Sequence, residues 1–279
     1  MFLVVGATAH FGRQTVESLV AEGHRVRALS RTPESAGLPA SVEVVRGDLT
    51  DGSTLKPALA GVTGLFLVLP YGMDAGPLLR AAKEAGVDRI VFLSSGAIVD
   101  GATEQPDVIA AYHHGVEQAV RATGARWTFL RLFFPAINSL TWAMQLGDGD
   151  VVRGPYGGAT SAPVHERDVA DVAARVLTTD GHDGRIYDVT GPQALSQVEQ
   201  VQILGRALGR PLTFAELDPA PVREQMGRFM DADFVNALFD LMEATVGKPA
   251  PVNDVVERIT GRPARTYARW AADHVADFS

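Results

Sequence analysis

The chain has 279 residues, enough for one large α/β unit or for a nucleotide-binding domain with a smaller companion. Hydrophobic residues make up 46% and charged residues 21% of the chain, which is typical of an ordinary globular protein. The net charge of −8 disfavours a surface that neutralises nucleic-acid phosphates, and the absence of cysteine excludes disulfides, thiolate nucleophiles and cysteine-ligated zinc.

No run in the sequence approaches the roughly 20 apolar residues that a membrane-spanning helix needs. A strand is already predicted at Phe2–Val5, which leaves no room for a cleavable leader before it. We therefore expect a cytoplasmic protein that has neither a membrane nor a nucleic acid as its partner.

Short apolar runs alternate with segments of helical period through the first half of the chain. Gly23 and Gly124 each follow such a segment, where a helix C-terminus favours a left-handed residue. The alternation indicates βαβ units and a mostly parallel sheet, and strands that are apolar throughout indicate helices on both faces. We therefore predict an α/β fold with a Rossmann-type, doubly wound parallel sheet. Its strands are predicted at Phe2–Val5, Arg25–Leu29, Val42–Arg46, Gly64–Leu69, Arg89–Leu93 and Trp127–Arg131.

The pattern loosens in the second half of the chain. The glycine-rich residues 147–158 predict a surface strand or hairpin, and Arg185–Val189 predicts a further strand. We divide the chain into a nucleotide-binding domain, residues 1–135, and a substrate-binding lobe, residues 136–279. Part of residues 160–192 is expected to return to the sheet of the first domain.

Helix signals also occur in the second half. Asp168 is predicted to cap a helix of apolar period. Ser196 and Glu199 form a capping box for the next helix, which is predicted to end near Gly209. The remainder of the chain, to Ser279, is helical in pattern.

A glycine-containing run follows the first predicted strand directly and opens a helix, which is the context of a dinucleotide-binding turn. Gly6 permits the tight turn, and Gly12 allows the helix to pack closely on the sheet. Amide groups at the helix start, with the helix dipole behind them, suit a pyrophosphate. Ala9 stands where a third glycine is usual, and a ligand-free strand-turn-helix connection is the alternative. The predicted cofactor contacts in this run are Gly6, Thr8, His10, Phe11 and Gly12.

The end of the second strand indicates which dinucleotide is bound. NAD-binding units usually place an acidic residue there, but this chain has Ser30 and Arg31. A hydroxyl beside a guanidinium suits a 2′-phosphate, so NADP(H) is favoured over NAD(H). Arg13 is interpreted as a surface residue. Asp48, followed by Leu49 after the third strand, is predicted either to contact the adenine or to cap a turn.

These residues make the chain resemble the NmrA-like branch of the atypical short-chain dehydrogenase/reductases. The resemblance covers most of residues 1–210 and rests on the segments 4–8, 30–31, 47–49, 91–95, 127–131, 163–170 and 187–191. It implies a Rossmann core, a smaller C-terminal α+β substrate lobe and NADP(H) in the cleft between them. Members of this family include quinone and ketone reductases and also redox sensors without catalysis, so the resemblance implies the cofactor more firmly than the activity.

The usual catalytic pattern of short-chain reductases is broken in this chain. Counting back from Gly124, the family's lysine falls at Gly115 and its tyrosine at Ala111. Tyr112 is displaced by one residue, about 100° around a helix. A mid-helix glycine costs roughly 1 kcal/mol against alanine, so Gly115 suggests close approach of a ligand or of another helix.

Three interpretations of the missing dyad remain open. Tyr112 or His113 serves as the proton donor; or the acceptor is a quinone or aromatic ketone that needs little acid help; or the protein only senses the redox state of NADP(H). Ser95, at the end of the fifth strand, is expected to orient a carbonyl. The candidates near the nicotinamide are Pro70, Tyr71, Phe133, Phe134 and Asn138, which suit an apolar pocket for a planar substrate.

We therefore predict an NADPH-dependent reductase acting on a ketone or quinone of an aromatic, polyketide-like molecule, as a monomer or homodimer. The alternative is a non-catalytic NADP(H) sensor that acts through a protein partner. His113, His114 and His165 have no further ligand at metal-binding spacing, so no metal site is predicted.

Overall fold

The computed structural model describes residues 1–147 and 149–278. Short apolar, β-branched runs form the strands, most of them close to the predicted positions. They are β1 (Phe2–Val4), β2 (Val26–Ser30), β3 (Glu43–Arg46), β4 (Gly64–Leu67), β5 (Arg89–Ser95), β6 (Arg126–Leu132), β7 (Val151–Gly154), β8 (Thr160–Ser161), β9 (Arg185–Asp188), β10 (Leu195–Ser196) and β11 (Thr213–Glu216).

The helices follow the segments of 3.6-residue period, and short 3-10 turns lie at 33–35, 52–54, 136–142 and 275–278. They are α1 (His10–Ala21), α2 (Leu55–Leu59), α3 (Gly76–Glu84), α4 (Val108–Arg121), α5 (Ala143–Leu146), α6 (Glu166–Thr178), α7 (Gln197–Leu208), α8 (Pro219–Gly227), α9 (Ala232–Ala244), α10 (Val255–Thr260) and α11 (Tyr267–Asp273).

The main sheet has seven parallel strands in the order β3-β2-β1-β4-β5-β6-β9. β1 lies between β2 and β4, and the strand order reverses there. In sheets of this kind, ligands bind beyond the carboxyl ends of the strands at that reversal. The predicted Rossmann-type, doubly wound fold is confirmed. β9, predicted at Arg185–Val189, lies beside β6.

Helices cover both faces of the main sheet, because successive residues of each strand point to opposite sides. Val4 is fully buried under α1 and α6, and its neighbour Leu3 is fully buried on the other side, under α2, α3 and α4. Burying one such side chain contributes about 1.5–3 kcal/mol. The two apolar layers hold the carboxyl edge of the sheet in place beneath the candidate site.

The described part of the glycine-rich segment, residues 147 and 149–158, contains a strand and no hairpin. β7 lies within them and pairs in parallel with β11, which follows α7. A hairpin requires antiparallel neighbours joined by a short turn, and this partner strand lies about 60 residues further along the chain. Of the two predicted alternatives, a strand or a hairpin, the structure has the strand.

The prediction that Asp168 caps a helix was wrong. His165 is the N-cap of α6, and its side chain accepts a hydrogen bond from the Arg167 amide. Asp168 lies inside the first turn, where it binds Arg265. The predicted capping box at Ser196 is confirmed, and the helix that it starts ends at a left-handed Gly209 with φ of +65°.

Candidate active site

The turn between β1 and α1 has the geometry of a phosphate cradle. Gly6 has φ of +75°, and a Cβ on Gly12 would lie 2.2 Å from the carbonyl oxygen of Gly6. Both positions therefore require glycine, as the sequence predicted. Thr8, Ala9 and His10 are exposed at the mouth of this turn, and Phe11 packs partly against the core below it.

The N-terminus of α1 has no side-chain cap. Its N-cap residue is Ala9, whereas α4 and α7 are capped by Asp107 and Ser196. The first amides of a helix have no acceptor within the helix, and the dipole leaves partial positive charge there. An anionic phosphate is the acceptor that completes such a terminus, so these residues fit a dinucleotide pyrophosphate.

The predicted 2′-phosphate residues lie at the end of β2. Ser30 is buried and its Oγ accepts a hydrogen bond from the Thr32 amide at 3.1 Å, while Arg31 is exposed. Arg46, at the end of β3, donates to the carbonyl oxygen of Arg31 at 2.6 Å. It also pairs with Glu34 at 3.0 Å. Arg46 therefore fixes the backbone of Arg31, a role that the sequence analysis missed.

Arg13 is more than a surface residue. Its guanidinium donates to the carbonyl oxygens of Ala36 and Gly37, at 3.0 and 2.6 Å. This ties the loop after β2 to the first turn of α1. The two ends of the predicted dinucleotide site are thus joined, by a contact between residues more than 20 positions apart that a local pattern does not reveal.

Asp48 performs the turn-capping role that the sequence left open. Its Oδ1 accepts from the backbone amide and the hydroxyl of Thr50, at 2.9 and 2.8 Å, and these hydrogen bonds lower the pKa of the carboxyl group. Leu49 lies beside Tyr71 and Met73 in a surface cleft next to the carboxyl edge of the sheet. A role for Asp48 and Leu49 at the adenine stays a prediction.

The three predicted catalytic residues are not joined to one another by hydrogen bonds within the described part of the chain. Ser95 Oγ accepts from the amide of Ala97 at 3.2 Å. The Tyr112 hydroxyl lies 3.0 Å from the carbonyl oxygen of Pro70 and 2.9 Å from that of Met73. Burial outweighs the hydrogen bond to Met73 and raises the pKa of Tyr112 to about 12, so its proton is held tightly.

His113 points toward the sheet. Its ring stacks on Phe92, with 6.2 Å between ring centroids, and Nδ1 lies 2.8 Å from the carbonyl oxygen of Ile109. Burial lowers the pKa of His113 below the ordinary histidine value, which keeps the imidazole neutral at neutral pH. A neutral imidazole whose N–H is used within its own helix is a poor general acid.

Gly115 and Ala111, which the sequence analysis predicts at the positions of the usual lysine and tyrosine, are both exposed. Outside the backbone of α4 itself, none of the described atoms lies within 4 Å of a Cβ built on Gly115. The interpretation that this glycine makes room for another helix was therefore wrong. The face of α4 that carries Gly115 is therefore open at this position.

A buried ionic network, which the sequence analysis missed, holds α4 on the sheet. Glu117 is fully buried and accepts from Ser94 at 2.8 Å and from Arg131 at 2.9 and 3.0 Å. Arg131 also binds both carboxylate oxygens of Asp100 at 2.9 Å. Removing one partner of such a buried pair costs about 3–5 kcal/mol, so the network fixes α4 and the loop after β5 together.

A cavity of about 360 Å³ lies beside the carboxyl edge of the sheet, within the size range of small-molecule sites. Phe134 and Pro135, just beyond β6, form one wall, and Phe234 of α9 forms part of another. The Phe234 ring contacts Tyr71, beyond β4, at 4.6 Å between centroids. The cavity therefore adjoins the strand ends where the dinucleotide crevice lies. Its remaining lining includes Asn138, Ser139, Trp142, Ser161, Gln197, Gln200, Leu238 and Met242.

Comparison with known proteins identifies the family. A family model described as NAD(P)H-binding matches residues 6–180, more than half of the chain. The chain belongs to this NAD(P)H-binding family. A (4-alkanoyl-5-oxo-2,5-dihydrofuran-3-yl)methyl phosphate reductase of Streptomyces griseus is 40% identical, with 100% of this chain and 99% of that protein covered. An NAD(P)H azoreductase of Xenophilus azovorans is 36% identical, with 100% and 99% covered.

A solved structure is also similar. The NADPH-dependent quinone oxidoreductase of Escherichia coli superimposes with a TM-score of 0.80 at 26% identity, over 98% of this chain and 99% of that one. Together these similarities confirm the predicted membership of the atypical, NmrA-like short-chain reductases, the nicotinamide dinucleotide cofactor and an NAD(P)H-dependent oxidoreductase of the quinone reductase type.

Two further findings concern the described residues. No helix formed by these residues has both the length and the hydropathy required to cross a bilayer. Within residues 1–147 and 149–278, no group of three or more histidine or carboxylate side chains is arranged to hold a metal ion.

Proposed function

We propose that this chain is an NADPH-dependent reductase that delivers hydride to a quinone, or to a conjugated ketone, of a small aromatic and polyketide-like molecule. The observation that carries the proposal is the cavity beside the strand ends, whose described lining is aromatic, aliphatic or neutral polar. Such a lining suits a planar, uncharged acceptor.

The candidate proton donors near the carboxyl edge of the sheet are poorly suited to general acid catalysis, which favours an acceptor that does not require it. The Tyr112 proton is held by backbone carbonyl oxygens, and His113 is neutral and buried. Hydride addition to a quinone leaves a phenolate-like oxygen with a pKa of about 10, near that of tyrosine. An isolated ketone leaves an alkoxide whose basicity is closer to that of hydroxide, for which the pKa of water is about 15.7. A conjugated acceptor therefore reacts without the tyrosine-lysine dyad.

The balance of the proposed reaction is that of a two-electron reduction. Bound NADPH supplies the hydride. The acceptor gains that hydride and one proton from solvent or from a neighbouring phenol of the substrate. A quinone thereby becomes the hydroquinone, and a conjugated ketone that takes the hydride at the far carbon of its double bond becomes the saturated ketone by way of an enolate. Ser95 orients the acceptor oxygen, while the β1–α1 turn and Arg31 hold the cofactor.

The relatives support this choice of acceptor. Quinones and azo compounds are conjugated acceptors, and the compound in the name of the Streptomyces griseus relative has a ring double bond that is conjugated with two carbonyl groups, both attached to the same ring carbon. Hydride added to any of these leaves a delocalised anion. We therefore extend the proposal to conjugated electron-poor double bonds as a class.

The test is an assay of NADPH oxidation with a panel of neutral quinones, α,β-unsaturated ketones and simple aliphatic ketones. Turnover is expected with the conjugated acceptors. With aliphatic ketones it is expected to be at least about 100-fold slower, because general acid catalysis contributes a factor of about 10²–10⁴ to the rate. Saturable NADPH binding without turnover of any acceptor would contradict the proposal and identify a redox sensor. We also propose that the protein is cytoplasmic and is a monomer or homodimer, and that its two domains meet between residues 135 and 136. Size-exclusion chromatography would test the oligomeric state, and limited proteolysis would test the domain boundary.

A further inference from the structure

Phe134 has an unusual backbone conformation at the edge of the cavity. Its φ is +51°, in the left-handed region that bulky side chains rarely adopt. The chain on either side is held by backbone hydrogen bonds. The carbonyl oxygen of Leu132 accepts from the Gly96 amide at 2.7 Å, and the Ala136 amide donates to Val164 at 3.0 Å. The surroundings therefore impose the strained conformation, which is a feature that clusters at binding sites.

The ring of Phe134 forms one wall of the cavity. It packs edge-on against Phe133, with 4.8 Å between centroids. Trp142 and Phe234 line the same cavity, yet among the described rings neither makes an aromatic contact with Phe134. The three rings therefore line the cavity of about 360 Å³ without contacting one another, and Phe134 offers its ring to a planar ligand bound in it.

The polar groups of the cavity are neutral and partly engaged. Ser139 accepts from the Tyr267 hydroxyl at 2.8 Å, and Ser161 accepts from Gln200 at 3.2 Å. Ser139, Ser161 and Gln200 are 4%, 5% and 6% exposed. The described residues that line the cavity include no charged side chain. An anionic group that enters it loses its hydration and gains no ion partner, which is unfavourable.

We infer that Phe134 determines acceptor specificity by stacking on a planar, uncharged acceptor ring, and that its left-handed backbone aims the ring at this acceptor. The inference rests on the proposed function and narrows its substrate class to neutral quinones and related planar ring systems.

Four variants of the full-length protein test the inference. Phe134→Leu removes the aromatic face, Phe134→Tyr restores it, and Phe134→Gly removes the ring and relieves the left-handed backbone. Phe229→Leu makes the same side-chain change at a ring that is 84% exposed, and it serves as the matched control. The probes are a naphthoquinone, a naphthoquinone sulfonate and the non-aromatic ketone cyclohexenone.

Kinetics with saturating NADPH provide the first measurement. Phe134→Leu is expected to lower kcat/KM for naphthoquinone about 3–10-fold, which corresponds to the free energy of one aromatic contact. The kcat/KM for cyclohexenone and the Kd of NADPH should not change. Phe134→Tyr and Phe229→Leu should behave as the wild type. Phe134→Gly should lose the preference for naphthoquinone over cyclohexenone to the same extent. Its Tm should be higher than that of Phe134→Leu, because glycine adopts positive φ freely. Equal losses for both acceptors in Phe134→Leu would overturn the inference.

Binding provides a measurement that does not depend on turnover. Trp142 lines the same cavity, so bound naphthoquinone should quench its fluorescence, and Trp142→Phe identifies that signal. The wild type should bind naphthoquinone at least 3-fold more tightly than Phe134→Leu and at least 10-fold more tightly than it binds the sulfonate. If naphthoquinone binds in this way but is not reduced, the proposed function fails and the inference stands. If the wild type shows no saturable quenching, or prefers the sulfonate, the inference fails whatever the outcome of the reductase assay.

Discussion

The imidazole Nε2 of His274 lies 2.6 Å from Oε1 of Glu166, and this pair joins the C-terminal segment to the start of α6. The hydrogen bond to Glu166 raises the pKa of His274. Burial alone would raise the pKa of Glu166, but the interactions with the nearby His165 and with His274 outweigh it, and the pKa is lowered. Both groups are thereby stabilised in their charged forms. The other charged or titratable groups at this corner are His165, Arg269, Asp273 and Asp277.

Replacing His274 should make stability less dependent on pH. A histidine whose pKa is raised on folding contributes its full stabilisation below the unfolded value of about 6.5, and loses it as pH rises through the folded value. We expect the Tm of the wild type to exceed that of His274→Gln most near pH 6, and the difference to shrink toward pH 9. Thermal unfolding at a series of pH values measures this. His24→Gln, at a half-buried histidine near Glu22, is the control, and a His274 difference that is constant with pH would refute the prediction.

Reversing the charge of Arg31 should change cofactor preference. A charge-assisted hydrogen bond is worth about 1.5–3 kcal/mol, so Arg31→Asp should weaken NADPH binding by about 10–150-fold and NADH binding by less than about 3-fold. Calorimetric titration with each cofactor measures both values. Arg185→Asp changes an exposed arginine at the start of β9 and should affect neither. Equal losses for the two cofactors would show that Arg31 does not bind the 2′-phosphate.

Replacing Gly115 and Gly12 by alanine should have opposite effects on the stability of the protein. Gly115 is exposed and has open space around an added Cβ, so Gly115→Ala should stabilise α4 by about 0.5–1 kcal/mol and raise the Tm by about 1–4 °C. In Gly12→Ala the Cβ would lie 2.2 Å from a backbone oxygen, and we expect a loss of about 3 kcal/mol together with the loss of NADPH binding. Thermal unfolding with and without NADPH compares the two variants. A destabilised Gly115→Ala would show that this face of α4 is covered.

Tyr112→Phe and His113→Ala should leave most of the catalytic rate. The Tyr112 hydroxyl binds the backbone at residues 70 and 73, so its removal should cost about 1 kcal/mol of stability, or about 2–4 °C in Tm, and less than about 3-fold in kcat. His113→Ala should lower the Tm further, because its ring is buried against Phe92. Stopped-flow reduction of a quinone under single-turnover conditions measures the chemical step. A loss of about 100-fold or more in either variant would identify it as the acid.

The fold was predictable from sequence where the signals are local. Apolar strands, the Ser196 capping box and the left-handed Gly23 are each set by neighbours within a few residues, and the structure has them at or near the predicted positions. The cofactor turn was predictable for the same reason, since Gly6 and Gly12 belong to one short segment.

Other features depend on partners far along the chain. Asp168 has the residue type of a helix cap, but the helix begins at Glu166, and the Asp168 carboxylate binds Arg265, 97 residues away. The cavity is assembled from segments near residues 134–142, 159–161, 197–200 and 234–245, which no single window of sequence contains. The buried Glu117 likewise appears as an ordinary charged helix residue until Arg131 is placed beside it.

From the missing side-chain cap at Ala9 we expect that the stability of the protein depends on bound cofactor. Without a phosphate, the opening turn of α1 lacks an acceptor for its leading amides, and such termini are the first to open and exchange their hydrogens. A dinucleotide at 100 times its Kd stabilises the folded chain by about 2.7 kcal/mol. Stability differences of this size change the fraction that proteases degrade in a cell, so a cell depleted of reduced and oxidised cofactor would hold less of this protein, independently of how much it synthesises.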